Sequence, residues 1–184
     1  MKFERVSAGA TRWTRWQTWA LTSTFLLLTS YFSACGIYSF SGASIPDYID
    51  TVAIPLAVDQ SSGGPATMDQ ELTDFLFDRF VQQTRLDFVE DEADADALLL
   101  ATIERYSNRP TAVTGDEVAA LNSVSISVRA VYTDRVEDLE QLARSFSFEV
   151  EYDPADGLDG ETEAASAALE QIAEQIFIAA ASDW

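Results

Sequence analysis

Val124-Ser-Ile-Ser-Val-Arg-Ala-Val-Tyr132 decides the fold. Val124, Ile126, Val128, Ala130 and Tyr132 occupy one parity, while Ser125, Ser127 and Arg129 occupy the other. A helix would scatter these apolar positions around its circumference. A strand gathers them on one face, because successive side chains point to opposite sides of the pleat. The same alternation recurs at Ser145–Tyr152, where Phe146, Phe148, Val150 and Tyr152 alternate with Ser145, Ser147, Glu149 and Glu151. Two strands with one apolar and one polar face predict an antiparallel pair in a sheet covered on one side only. If the turn is centred near residue 139, Glu149 faces Arg129 across the pair.

The covering layer lies outward from these strands. From Glu161 onward, Ala165, Leu169, Ile172, Ala173, Ile176 and Ala180 repeat with the helical period and predict an alanine-rich C-terminal helix. Upstream, Leu72, Phe75, Leu76 and Phe80 predict an amphipathic helix from Met68 to about Thr84. Thr67-Met-Asp-Gln70 reads as its capping box. Thr51-Val-Ala-Ile-Pro55 is a strand ending at proline, and Leu98–Ile103 is a strand buried on both faces at its start. Gln60–Pro65, with Gly63-Gly64, reads as a loop, and Asn108–Asn122 as a long one carrying Pro110 and Gly115. The order is β-α-β-β-β-α with no internal repeat. It predicts an α+β two-layer sandwich: two helices packed on one face of a roughly four-stranded mixed sheet.

The N-terminus belongs to a different class of segment. Lys2, Arg5, Arg12 and Arg15 face a single acid, Glu4, and Trp16 to Ala34 carries no charge. A positive start, a short apolar run and small residues at its end predict a secretory signal over residues 1–34. Ser33 and Ala34 stand directly before Cys35, the only cysteine in the chain. This resembles the lipobox of bacterial lipoproteins, which makes Cys35 the expected lipidation site and residues 35–184 a single anchored domain with a short N-terminal tether.

After such a cut, 150 residues remain, with seven arginines, no lysine and 30 carboxylates. A surface of that charge repels nucleic acid. It also fits life at high salt, where screening removes self-repulsion. The chain contains no histidine. Histidine triads, Cys/His dyads and Cys/His zinc sites are therefore excluded, whereas a carboxylate-pair hydrolase is not. Asp94-Ala-Asp96 is either an acidic metal pair or a solvated turn. Arg105 and Arg109, at a strand end and in the loop beyond, either mark an anion site or are simply solvated.

Taken together, several stretches resemble the LptE family of lipopolysaccharide-assembly lipoproteins. They are Cys35-Gly36 followed by Tyr38 and Phe40, the Thr51–Pro55 strand, the Phe-rich helix, and Glu92-Ala-Asp94 through Ile103 running into Arg105-Tyr106. The alternating strands and the last helix complete the same order. The resemblance implies an outer-membrane lipoprotein, anchored on the periplasmic side, that plugs the LptD β-barrel. It would help that barrel fold and move lipopolysaccharide to the outer leaflet, without catalysis or cofactor. It also implies contact between lipopolysaccharide phosphates and basic side chains near strand ends, where Arg105 and Arg109 fall. A periplasmic lipoprotein that binds and regulates a cell-wall enzyme is the competing expectation.

Overall fold

The computed structural model describes residues 45–111 and 121–182. Its strands are β1 (Thr51–Ala53), β2 (Val58–Asp59), β3 (Asp87–Phe88), β4 (Ala97–Thr111), β5 (Leu121–Asp134) and β6 (Leu139–Tyr152). The helices are α1 (Met68–Phe77) and α2 (Gly157–Ser182). The sheet runs β3-β1-β4-β5-β6, with β2 also beside β4. The short N-terminal strands pair in parallel, and β4-β5-β6 form an antiparallel meander. The α+β sandwich is thus as expected, but the mixed sheet has six strands rather than four. The two additional strands span two residues each, too short for alternation to register.

The parity of the opening stretch determines the layers. Val124, Ile126, Val128, Ala130 and Tyr132 are fully buried, and so are Ala97, Leu99 and Ile103 on β4. Against them lie Leu72, Leu76 and Phe80 from the first helical segment and Ala168, Leu169, Ile172, Ala173 and Ile176 from α2. Small alanines let α2 approach the sheet closely, while burying each leucine or isoleucine contributes about 1.5–3 kcal/mol. Phe80 sits where the layers meet, stacked on Tyr132 at 5.8 Å and edge-on to Phe177 at 5.3 Å.

Four local expectations are corrected. The helix from Met68 is α-helical only to Phe77 and continues as a π-helical turn over Asp78–Gln82. The capping box does not form; the Thr67 hydroxyl donates instead to the Glu71 carboxylate at 2.7 Å, one residue beyond Gln70. The expected loop Asn108–Asn122 shrinks, because β4 runs to Thr111 and β5 begins at Leu121. Pro110 is tolerated there because β1 and β2 have already ended, leaving that part of β4 an edge. Finally, Arg129 faces Ser145, not Glu149, which lies opposite Ser125. The turn occupies Arg135–Asp138, so the pair folds about residue 137 rather than 139.

Asp96 ties the start of β4 to the start of β1. Its carboxylate accepts the backbone N–H groups of Asp50 and Thr51, both at 3.0 Å, and the Thr51 hydroxyl at 2.9 Å. The Thr51 hydroxyl oxygen in turn accepts the N–H of Asp96. These bonds, led by that from Asp50, hold the Asp96 carboxyl below the ordinary carboxylate range. A lowered folded value stabilises the fold above the unfolded value near pH 4, and the contribution is lost as pH falls through the lowered value. Asp96→Ala is expected to cost about 1–3 kcal/mol at neutral pH. Urea unfolding of the two proteins at pH 7 and pH 3 would check this, the difference narrowing at the lower pH.

Candidate ligand and partner surface

Both helices pack on one side of the sheet, and among the described residues the other side carries no covering element. The register sets its composition. Arg109, Ser123 and Glu151 form one row across β4, β5 and β6, followed by Ser107, Ser125 and Glu149. Arg105, Ser127 and Ser147 form the next, and Thr102, Arg129 and Ser145 the one after. Directly opposite residues share a face, so Arg105, Arg109 and Arg129 all project from this open side.

The two arginines singled out from sequence are therefore brought together, but as strand residues. Arg109 is not in a loop. It lies four steps along the strand from Arg105, about 13 Å at ~3.3 Å per residue. A register shift between Ile103 and Arg105 re-aims the chain, since without it Arg105 would share the parity of the buried Ile103. Arg129 is the residue that sequence reasoning misplaced. Its own parity already put it on the polar face, and the cross-strand register puts it one row from Arg105.

The open face is graded. Beyond the arginine rows lie Leu100, Val131 and Ala143, with Leu100 41% exposed, whereas the exposed Val58 lies beside Thr102, in the row of Arg129. One end of the face is thus hydroxyl-rich, with its three arginines matched by Glu104, Glu149 and Glu151, and the other is apolar. Carboxylates are interleaved: Glu104 accepts the Ser145 hydroxyl at 2.9 Å, and Glu149 accepts that of Ser123. Such a face can hydrogen-bond to a polar wall and can take an anion between guanidinium groups.

At the Arg109 end the sheet is tied to the start of α2. Tyr106 donates its phenol to Glu161, and Tyr152 accepts from the side-chain amides of Asn108 and Asn122 at 2.7 and 3.1 Å. Burial, helped by the Glu161 bond, pushes the Tyr106 phenol well above its ordinary value. It stays a neutral donor throughout the physiological range. Gly64, at φ +88°, lies against the Tyr106 ring, where a Cβ would approach ring and Met68 atoms to within 3 Å.

Cys35 lies outside the described residues. Among those described, no group of acidic side chains is arranged to hold a metal ion, and no helix is long and apolar enough to cross a membrane.

The comparisons bear on fold and family. No curated protein matches the chain. Among solved structures, a protein from Xanthomonas campestris is similar, with a TM-score of 0.51 and 11% identity over 73% of this chain and 88% of that one. A hypothetical protein from Chlamydia trachomatis gives 0.48 and 12% over 72% and 98%, and a minor lipoprotein from Acinetobacter baumannii 0.43 and 12% over 74% and 94%. Identities this low speak to fold alone. Residues 49–180, spanning β1 to the last turn of α2, match the family described as LptE, lipopolysaccharide-assembly. The chain belongs to the LptE family.

Proposed function

We propose that the chain is an outer-membrane lipoprotein, acylated at Cys35, whose domain plugs an LptD-like β-barrel from the periplasmic side. In that role it assists barrel assembly and the passage of lipopolysaccharide to the outer leaflet. One observation carries the reading: among the described residues a sheet face is uncovered and, between Thr102 and Arg109, presents hydroxyls, arginines and carboxylates rather than a continuous apolar surface. The lumen of an outer-membrane barrel is polar, so a plug must meet it through hydrogen bonds. Arg105 and Arg109, joined by Arg129, are the proposed contacts to lipopolysaccharide phosphates. No reaction is assigned, no cofactor is required, and nucleic acid is not a partner.

Photo-crosslinking probes at Thr111, Ser127 and Ser147, all outside the buried core, test the reading in cells. They are expected to trap a large β-barrel protein. A probe at the fully buried Ile126 is expected to disrupt folding instead. Trapping of peptidoglycan enzymes alone, or of nothing, would replace the plug with the cell-wall regulator.

A further inference from the structure

The two edges of the sheet differ. At one edge β3 spans two residues; at the other β6 spans fourteen, and among the described residues no strand lies beyond it. A long edge leaves a row of outward N–H and C=O groups that only another extended chain can satisfy in register. The helix above it repeats the asymmetry. Glu170 and Glu174 lie on the α1 side of α2, within 3.4 and 3.1 Å of Arg79. On the β6 side the exposed or half-exposed positions are Gln171, Gln175, Ile178 and Ser182, none of them charged. Between this flank and the strand, Arg144, Phe146, Gln175, Ile178, Ala179 and Ser182 line a groove of about 550 Å³.

We propose that β6 pairs with the β6 strand of a second copy, antiparallel about a two-fold axis at Phe146. The strand is self-complementary about that axis, and charge restricts the register. The sequence carries 31 acids against 11 bases, so a second copy can approach only where acids do not meet. Pairing centred on Phe146 meets that condition: Leu142 lies opposite Val150, Ala143 opposite Glu149, Arg144 opposite Phe148 and Ser145 opposite Ser147. No like charges are juxtaposed. A shift of the axis to Val150 would set Glu149 against Glu151, and a shift to Glu149 would set that residue against itself. Arg144, already 4.7 Å above the ring of Phe146, then lies between that ring and the second copy's Phe148. Registers that keep facing residues on the same side of the sheet also align the outward backbone groups, so the apolar face continues across the axis.

The proposal is independent of the barrel reading and concerns the chain when no barrel holds it. Sedimentation equilibrium of the full chain in detergent, over roughly a hundredfold concentration range, is expected to show conversion to twice the single-chain mass. Ser145→Lys with Ser147→Lys sets like charges directly opposite each other across the new pair. It is expected to weaken association at least about tenfold while leaving the thermal midpoint nearly unchanged. Hydrogen exchange of the unaltered chain, which needs no variant to fold, is expected to show protection of Leu142–Val150 that rises with concentration. A single-chain mass throughout the range would overturn the proposal. So would a dimer indifferent to the folded double variant, or concentration-dependent protection confined to other segments.

Discussion

Phe80→Ala is expected to destabilise the domain by about 3–5 kcal/mol, the largest effect of any single side chain considered. The ring is fully buried and touches aromatic partners from both layers, Tyr132 of β5 and Phe177 of α2. Truncation removes the transfer free energy of the ring and leaves a cavity that two layers of regular structure cannot close. Aromatic geometry adds about 0.5–1.5 kcal/mol for each pair lost. Against a total stability of roughly 5–15 kcal/mol for a domain of this kind, the variant is close to the folding threshold. Phe80 continues the buried face that Leu72 and Leu76 form in the preceding helix. Urea denaturation checks this: the midpoint falls steeply while the slope is retained.

Cys35→Ala has its expected effect at the membrane rather than in the fold. If Cys35 carries acyl chains, each buried methylene contributes ~0.8 kcal/mol to partitioning. With the thiol gone, the protein is expected to leave the membrane pellet almost completely. The domain itself is expected to unfold at the same denaturant concentration, because among the described residues the buried core begins at Ile49, well beyond the tether. Fractionation with mass spectrometry of the N-terminal peptide reads both parts. An unmodified cysteine in the membrane fraction of the unaltered protein would sink the lipid anchor.

Legibility followed the strength of the period. The alternation at Val124–Tyr132 and Ser145–Tyr152 and the long helical repeat of α2 could be read directly because a single face is buried, whereas the extension of β5 back to Leu121 and of β6 back to Leu139 could not. The two-residue strands β2 and β3 carry no period at all; the chain's path places them beside β4 and β1. Pro110 marked a loop from sequence because local chemistry cannot know that neighbouring strands have ended. The candidate surface was half legible. Parity placed Arg129 on the polar face, but its neighbours depend on the turn, and a displacement of two residues at Arg135–Asp138 exchanged Glu149 for Ser145. The bulge beside Glu104, which turns Arg105 outward, left no trace in the alternation upstream.

The bonds around β1 have a mechanical consequence. Arg85 grips the carbonyls of Ile45, Pro46 and Ile49, Tyr48 donates to the buried Asp134, and the Asp96 carboxylate holds Asp50 and Thr51. A pull applied to the chain ahead of Ile45 must rupture these contacts before any load reaches the meander. β1 contributes only three residues to the sheet, whereas β4, β5 and β6 share long antiparallel ladders. The leading edge therefore behaves as a fuse: under tension it yields first and locally, and the three-stranded ribbon behind it keeps its shape.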